Sequence, residues 1–258
     1  MEKKTVISVQ NLTARYVDDL ILDDISFDVY KGEIFVILGG SGCGKTTLLR
    51  HMIGLNNPFS GKVLIDGTDI TSCSDKEYQK ALRKIGVLFQ GSALIGSMSI
   101  ADNIALPITK YSNLSQRVIN TLVRMKLCLV DLDGYADYMP SELSEGMKKR
   151  AGLARALVLN PKILFLDEPS AGLDPVTAAE IDELILHINR SIGTTMIIIT
   201  HQLDSIYKVA KRLIMLDKRK KGIIAEGDPE FLRNNSKDPF VKQFFNRQAR
   251  PQLQAHNG

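Results

Sequence analysis

The glycine-rich segment from Gly39 to Thr46 constrains the fold of this chain more than any other feature. Its residues are, in order, Gly39, Gly40, Ser41, Gly42, Cys43, Gly44, Lys45 and Thr46. An apolar run, Ile34 to Leu38, precedes the segment and predicts a buried strand, and the pattern from Thr47 to Ile53 predicts a helix. A strand, a glycine-rich turn that ends in Gly-Lys-Thr, and a helix together predict a phosphate-binding loop.

Each residue type in this loop suits a phosphate ligand. The glycines let successive backbone N–H groups point at a β-phosphate. We expect Lys45 to reach the β- and γ-oxygens, Thr46 to ligate Mg²⁺, and Thr47 to contribute at the start of the helix. Cys43 is expected to be a tolerated small residue rather than a redox switch. A turn without a ligand would direct Lys45 into an anion-shaped pocket that lacks its anion, so the functional interpretation is favoured.

Further apolar runs predict the rest of a sheet. They are Val63–Ile65, Ile85–Phe89, Ile163–Leu166, Met196–Ile199 and Leu213–Leu216. Runs such as Ile163–Leu166 are apolar on both faces, which is typical of a parallel sheet that helices cover on both sides. Alternating patterns in Val6–Leu12 and Ile25–Val29 predict antiparallel strands that flank this sheet. The predicted fold class is therefore α/β.

Between about Ser99 and Leu159 the strand signal disappears, and we expect an inserted helical segment with breaks at Pro107 and Pro140. Its predicted helices are Ile100–Ile108, Ser115–Leu127 and Glu145–Leu159.

The chain is thus expected to have three parts. Residues 1–90 and 160–235 would form the nucleotide-binding core, residues 91–159 a helical subdomain, and residues 236–258 a helical tail. We expect one apolar face of the tail to pack on the chain's own body, with a partner chain as the alternative. The residues of that face are Phe240, Val241, Phe244 and Phe245.

Polar side chains follow three of the predicted strands. Because ligands bind at the carboxyl ends of parallel strands, these residues are candidates for the same site. Asp167 is expected to hold Mg²⁺ from the strand end next to the phosphate loop, and Glu168 to act as the general base for an attacking water. His201 is a candidate for contacting the γ-phosphate or polarising that water, although a lone histidine is usually structural. Gln90 is a candidate for sensing Mg²⁺ or water.

Composition excludes several other classes of protein. No stretch of the 258 residues approaches the roughly 18 apolar residues of a membrane span. The net charge of +4 is too small to argue for nucleic acid, so we expect no such partner. The basic run Lys218–Lys221 is interpreted as a solvated hairpin tip, with a contact to a membrane surface or a polyanion as the alternative. Three widely spaced cysteines predict neither a disulfide framework nor a zinc site, and the N-terminus has no signal-peptide pattern, so we expect a cytosolic protein.

In order and spacing these motifs resemble the ATP-binding cassette family over nearly the whole chain. The resemblance implies a RecA-like P-loop NTPase core, with ATP and Mg²⁺ as ligands and ATP hydrolysis as the activity. Tyr16 would stack on adenine, Gln90 would form the Q-loop and His201 would be the switch histidine. Leu143–Met147 resembles the signature motif, and Ser170–Asp174 resembles the D-loop, whose Asp174 we include among the nucleotide-binding residues.

The same resemblance implies a head-to-tail homodimer that sandwiches two ATP molecules. Ser144 and Gly146 of one chain would bind the γ-phosphate that Lys45 of the second copy holds. The signature departs from the usual Leu-Ser-Gly-Gly-Gln, because Glu145 replaces a glycine and Met147 replaces the glutamine. We expect Glu145 to face solvent or a partner rather than the nucleotide.

Narrower patterns resemble the MlaF-like ATPases of Mce-type lipid transport systems. They are Leu88–Leu94, Ser97–Ile100, Asn103–Ile104, Gly146–Arg150 and Asp238–Phe244. This resemblance implies a peripheral ATPase on the cytoplasmic face of the inner membrane that energises phospholipid movement and outer-membrane lipid asymmetry. Its implied partners are an integral-membrane permease that docks beside the Q-loop, an Mce-domain protein and, in some systems, a STAS-domain protein.

Other functions remain as alternatives. An ATPase of an amino-acid or other small-solute importer would share all the catalytic motifs, although Met147 and the basic run after it argue against that function. Soluble cassette proteins that act in DNA repair or on ribosomes normally carry two cassettes, a long coiled coil or zinc modules. A regulatory module without turnover would be expected to lack a residue such as Glu168 or His201.

Overall fold

The computed structural model describes residues 3–17 and 19–248. The strands are β1 Thr5–Tyr16, β2 Asp19–Tyr30, β3 Ile34–Gly39, β4 Ser60–Ile65, β5 Thr68–Asp69, β6 Ile85–Leu88, β7 Ile163–Asp167, β8 Thr195–Ile199, β9 Arg212–Asp217 and β10 Gly222–Gly227. The α-helices are α1 Lys45–Met52, α2 Asp75–Leu82, α3 Ile100–Tyr111, α4 Gln116–Leu129, α5 Glu145–Leu157, α6 Pro175–Ile192, α7 Leu203–Val209, α8 Pro229–Asn235 and α9 Pro239–Phe245.

The larger sheet has six strands in the order β10-β9-β3-β8-β7-β6. The strands from β9 to β6 are parallel, while β10 returns antiparallel beside β9. Both faces of the sheet are buried. In β3, Val36 and Leu38 belong to the apolar core on one side, and Phe35 and Ile37 belong to the core on the other. Burial on both faces explains the unbroken apolar runs and confirms the α/β prediction.

A second sheet is antiparallel, with the order β2-β1-β4-β5. It confirms the antiparallel strands expected from the first thirty residues. The run Val63–Ile65 pairs with β1 in this sheet, for example Val63 with Val9, and so lies outside the parallel sheet. Helix α1 contributes Leu48 and Met52 to the core cluster that also contains the inner residues of both sheets. The phosphate loop is therefore supported from two sides.

The segment 91–159 contains helices and no strand. The prediction that Pro107 breaks α3 is wrong, because the helix continues through it to Tyr111. Proline removes one hydrogen bond of the helix, but the residues of the inner face remain buried on both sides of it, and this packing carries the helix past Pro107. Pro140 lies in a break, since a short 3₁₀ turn, Pro140–Glu142, separates α4 from α5.

The tail forms helix α9, which packs on its own chain as expected. Val241 and Phe245 are buried in the main core cluster, and Phe240 and Phe244 pack against it. The predicted tail also includes residues 249–258, which lie outside the described residues. The division into three parts stays a prediction. In the part of the chain that the structure describes, none of the helices combines the length and the apolar character needed to cross a lipid bilayer.

Candidate nucleotide-binding site

The phosphate loop joins the last residue of β3 to the first residue of α1. Gly44 immediately precedes the helix with φ of 99°, a left-handed conformation that favours glycine. A Cβ atom at Gly44 would lie 2.6 Å from Cδ2 of Leu22. A side chain at this position would therefore push the loop away from β2. Cys43 is buried, and burial raises the pKa of its thiol, which fits a tolerated small residue better than a redox switch.

Lys45 is the first residue of α1 and folds back over the loop. Its Nζ donates hydrogen bonds to the carbonyl oxygens of Gly39, at 2.9 Å, and Gly40, at 3.1 Å. The positive charge is thereby held at the N-terminal end of α1, where the helix dipole also favours an anion. Lysine charge and helix terminus together make this loop suitable for phosphate.

Strand ends from four strands of the larger sheet surround one cleft of about 580 Å³, a volume that suits a small-molecule ligand. Its lining residues are Gly39, Gly40, Ser41, Gly42, Lys45, Thr46, Gln90, Asp167, Glu168, Ile199, His201 and Phe244. The expectation that Asp167 comes from the strand next to the phosphate loop is wrong, because β8 lies between β3 and β7. Sequence order does not reveal this insertion, since β8 follows β7 in the chain.

Glu168 and His201 contact each other at the centre of the cleft. The Nδ1 atom of His201 lies 2.7 Å from Oε1 of Glu168. The second carboxylate oxygen, Oε2, is buried and has no hydrogen-bond partner in the described structure. Glu168 also has φ of 50°, and its N–H donates to the carbonyl of Ile199 at 2.8 Å. A strained backbone fixed by a neighbouring strand is a recurrent feature of functional sites.

Asp167 ends β7 and is also buried. Burial raises the pKa of its carboxyl group, and the nearby charge of Glu168 adds to that effect. Lys149 and Lys45 act in the opposite direction, because their positive charges favour the ionised form. Two adjacent buried carboxylates thus create a site that stabilises additional positive charge.

Comparisons with known proteins decide the family of this chain. Residues 22–171, more than half of the chain, match the family described as ABC transporter. The chain belongs to the ABC transporter family. Cassettes of this family bind ATP or ADP, and the chain is an ABC-type ATPase.

Curated ABC relatives include two groups with different names. Over 246 residues, the chain is 43% identical to the probable ribonucleotide transport ATP-binding protein mkl of Mycobacterium leprae. The alignment covers 95% of this chain and 70% of that protein. The chain spans 66% of the Mycobacterium tuberculosis protein of the same name. Over 241 residues, the chain is 40% identical to the intermembrane phospholipid transport system ATP-binding protein MlaF of Haemophilus influenzae. That alignment covers 93% of this chain and 90% of the MlaF protein. The second similarity confirms the expected MlaF-like resemblance.

A methionine import ATP-binding protein, MetN of Geobacillus kaustophilus, is 37% identical over 231 residues, covering 90% of this chain and 67% of that protein. Among solved structures, a dimeric ATP-binding cassette in a post-hydrolysis state bound to ADP and Pi has a TM-score of 0.78 and 30% identity, covering 86% of this chain and 98% of that one. The cbiO1 protein from Clostridium perfringens, part of the ABC transporter complex cbiONQ, has a TM-score of 0.81 and 31% identity, covering 91% and 92%. These likenesses confirm the P-loop NTPase fold.

The residues of the ABC signature lie outside the cleft. Ser144 caps the N-terminus of α5 and accepts a hydrogen bond from the N–H of Met147 at 3.3 Å. Asp174 caps α6 and accepts from the N–H groups of Val176 and Thr177. A Cβ atom at Gly146 would lie 2.6 Å from Cγ2 of Thr177, so the starts of α5 and α6 pack closely. The N-terminal ends of α5 and α6 thus form one helix-end surface that is separate from the phosphate loop.

Two further expectations from the sequence concern Tyr16 and Glu145. Tyr16 ends β1 with 43% of its surface exposed, and its hydroxyl accepts a hydrogen bond from Asn56 at 3.1 Å. It does not line the cleft, so its contact with adenine stays a prediction. The side chain of Glu145 is 67% exposed and pairs with Lys148 at 2.6 Å. Glu145 therefore faces solvent, as expected.

Two contributors to the site were not predicted. Phe244 lines the cleft from α9, although the tail contains no nucleotide motif.

The Q-loop after Gln90 has left-handed residues at Ser92, with φ of 58°, and Ala93, with φ of 49°. Arg155 of α5 donates to the carbonyl oxygens of both, at 2.7 Å each. This arginine holds a loop conformation that costs roughly 1–2 kcal/mol per non-glycine residue.

Proposed function

We propose that this ABC protein binds and hydrolyses ATP to energise the movement of phospholipid, or a related hydrophobic molecule, by a membrane transporter. The buried, unpartnered Oε2 of Glu168 in the phosphate-loop cleft is the observation that carries the proposed hydrolysis. The MlaF relative supports the lipid substrate, because 90% of its length is covered at 40% identity.

In the proposed reaction, residues of this chain hold the phosphates, accept a proton from water and orient the general base. The backbone N–H groups of the phosphate loop and the charge of Lys45 hold the β- and γ-phosphates of ATP. Glu168 accepts a proton from the attacking water on Oε2, the oxygen that lacks a partner. His201 holds the other oxygen of Glu168 and so orients the carboxylate. Water is thereby activated in line with the γ-phosphate.

Thr46, Gln90 and Asp167 are the proposed Mg²⁺ ligands. All three line the cleft, and they offer hydroxyl, amide and carboxylate oxygens, the hard donors that Mg²⁺ takes alongside water and phosphate oxygens. Burial of Asp167 beside Glu168 also favours a bound cation, whose charge would offset that of the two carboxylates. When bound, the ion would neutralise charge on the β- and γ-phosphate oxygens.

A second copy of the chain completes each proposed site. Ser144 is exposed on the helix-end surface outside the cleft, where it is available to a nucleotide held by another chain. Gly146 is buried beside Thr177 at the same helix end, so its proposed contact with that nucleotide would be made by the backbone. Asp174 would contribute from the adjacent start of α6. The similar cassettes were solved as dimers, which supports head-to-tail pairing around two ATP molecules.

The proposed docking site for the permease is a groove beside the Q-loop. It has a volume of about 440 Å³ and is lined by side chains that include Phe89, Leu106 and Tyr111. ATP-driven closure of the dimer would move the two grooves together and drive the permease. The further proposed partners are an Mce-domain protein and a STAS-domain protein, at the cytoplasmic face of the inner membrane.

A methionine or other small-solute importer is the second candidate, because the MetN relative is also similar over most of this chain. Co-purification separates the two functions. Tagged Glu168→Gln protein would be isolated from detergent-solubilised membranes with ATP present, and the associated proteins and lipids identified by mass spectrometry. Tagged Lys45→Ala protein is the matched control, since its Kd for ATP should be at least tenfold higher.

We expect the Glu168→Gln sample to contain a multi-span permease, an Mce-domain protein and phospholipid. Recovery with the permease of a periplasmic solute-binding protein would favour the importer instead. Recovery of no membrane protein would contradict a transport function.

A further inference from the structure

Lys149 is a buried lysine on the helix that begins at the ABC signature. Only 3% of its surface is exposed. Its Nζ donates one hydrogen bond to the main-chain oxygen of Gln90 and another, 3.1 Å long, to the main-chain oxygen of Glu168. The two acceptors belong to the two loops that carry the proposed water-sensing glutamine and the proposed general base.

A buried lysine lowers the stability of the fold unless hydrogen bonds replace the hydration that its ammonium group loses. Burial withdraws the ammonium group from water and lowers the pKa of Lys149. Lysine on a helix surface normally extends its charge into solvent. The neighbouring Lys148 does so and pairs with exposed Glu145. Lys149 instead donates hydrogen bonds to two carbonyl oxygens. These bonds link α5 to the segments that carry Gln90 and Glu168.

The rest of the same helix face also lies on the Q-loop. At Gly152, one turn beyond Lys149, an added Cβ would lie 2.7 Å from Cδ1 of Leu88. One turn further, Arg155 donates to the carbonyl oxygens of Ser92 and Ala93. Residues spaced by three share one face of a helix, so α5 presents a continuous strip to the Q-loop backbone. Within this strip, Lys149 is the residue that also reaches Glu168.

We infer that Lys149 is a positioning residue that couples the signature helix of one chain to Glu168 and Gln90 of the same chain. The inference rests on the proposed function. Ser144 caps α5 and is proposed to meet the nucleotide of the second copy. Docking of that nucleotide would therefore set the position of the helix that carries Lys149. The lysine transmits the position of α5 to both loops. Each chain's general base is therefore aligned when its signature helix has engaged the opposite ATP.

Substitution at Lys149 tests this coupling through the separation of kcat from KM. The full-length chain would be purified with its co-purifying membrane proteins and assayed for ATP hydrolysis over a range of ATP concentrations. Lys149→Met keeps the apolar stem and removes both bonds. We expect kcat to fall about ten- to hundredfold, since a misplacement of about 1 Å can have that effect, while KM for ATP changes less than about twofold. The dependence of rate on ATP concentration should also lose cooperativity.

Lys149→Arg provides the rescue, because it restores a charged donor, and we expect it to recover most of the lost kcat. Lys148→Met is the matched control and should behave as wild type, since the Nζ of Lys148 pairs with the exposed side chain of Glu145. Should Lys149→Met not fold, Lys149→Gln tests the same point with one neutral donor group, and its thermal unfolding midpoint shows whether folding is retained. Wild-type kcat and cooperativity in a folded Met or Gln variant would overturn the inference. So would a raised KM with unchanged kcat.

The wild-type protein separates failure of this inference from failure of the proposed function. Hydrolysis by wild type with an unaffected Lys149→Met variant removes only the coupling role. Absence of hydrolysis by wild type, in the presence of its membrane partners and Mg²⁺, would overturn the proposed function and the inference with it.

Discussion

His201 holds one oxygen of Glu168 and leaves the other without a partner: Nδ1 lies 2.7 Å from Oε1, while Oε2 is buried and unbonded. The side chain of His201 is 60% exposed, whereas that of Glu168 is 9% exposed. The histidine thus reaches the carboxylate from the open side of the cleft. This arrangement fixes the direction of Oε2, and the proposed role of Glu168 as general base depends on that direction.

Replacing Glu168 with glutamine should abolish turnover and preserve nucleotide binding. The amide keeps the shape of the side chain but does not accept a proton from water, and the loss of a general base typically costs about 10²- to 10⁴-fold in rate. We expect the variant to accumulate as an ATP-bound dimer. Phosphate release and size-exclusion chromatography with ATP measure the two effects. Rapid hydrolysis by Glu168→Gln would remove Glu168 from the role of base.

Replacing His201 with alanine should reduce kcat while leaving ATP affinity nearly unchanged. The substitution frees Oε1 of Glu168, so the carboxylate loses its orientation, and we expect a fall of about ten- to hundredfold. Steady-state kinetics and equilibrium binding of a fluorescent ATP analogue separate the two quantities. A large loss of affinity with normal kcat would show that His201 mainly binds nucleotide.

Replacing Lys45 with alanine should weaken ATP binding. Hydrogen bonds from a charged group contribute about 1.5–3 kcal/mol each, which corresponds to at least a tenfold rise in Kd. Isothermal titration with ATP and Mg²⁺ measures the change. Lys237→Ala is a suitable control, because it removes the same charge from an exposed position in the tail. Retained affinity in Lys45→Ala would contradict the phosphate-loop assignment.

Replacing Asp66 with asparagine should destabilise the fold in a pH-dependent way. Asp66 accepts hydrogen bonds from Lys84 at 2.8 Å and Lys162 at 2.9 Å, and these bonds lower the pKa of its carboxyl from 3.8 to about 2. A lowered pKa contributes stability above about pH 4 that is lost as the pH falls toward 2. We expect a loss of about 1 kcal/mol at pH 7, since Lys162 is largely exposed and its interaction is screened.

Urea unfolding of wild type and Asp66→Asn between pH 7 and pH 3 tests this effect. The difference in unfolding free energy should narrow below pH 4. Asp133→Asn serves as a control, because Asp133 is exposed and lies 3.9 Å from its nearest cation, on Arg124. A constant difference at all pH values would show that the charge of Asp66 is not what stabilises the wild type.

Local sequence patterns predicted the parts of the fold that depend on local physics. The phosphate loop was predictable because glycine spacing, a preceding apolar run and Lys45 all lie within one short segment. The ends of β6, β7 and β8 were predictable for a similar reason, since Gln90, Asp167 and His201 follow apolar runs directly. Strand order was less accessible. The insertion of β8 between β3 and β7 results from pairing between residues far apart in sequence.

Contacts made by single residues across long distances in the chain were missed. Lys149 contacts residues 59 and 19 positions away, and nothing in a basic signature helix distinguishes a buried lysine from an exposed one. Only its spacing from Gly152 and Arg155 gives a signal. Phe244 reached the cleft through the packing of α9, which depends on the tertiary fold. The break assigned to Pro107 was wrong because packing on one helix face outweighs one lost hydrogen bond.

Ser144 lies outside the cleft that Lys45 lines. If two chains pair head to tail as proposed, a single chain therefore carries halves of two different sites. Under the proposed head-to-tail pairing, a cell that makes both a Lys45 variant and a Ser144 variant assembles mixed pairs. In each mixed pair, one site combines the altered Lys45 position with the altered Ser144 position. The other site has both residues intact. The general base of that intact site belongs to the chain with the altered Ser144, whose signature helix does not engage the opposite nucleotide. The proposed coupling through Lys149 therefore predicts that alleles at these two positions do not complement each other.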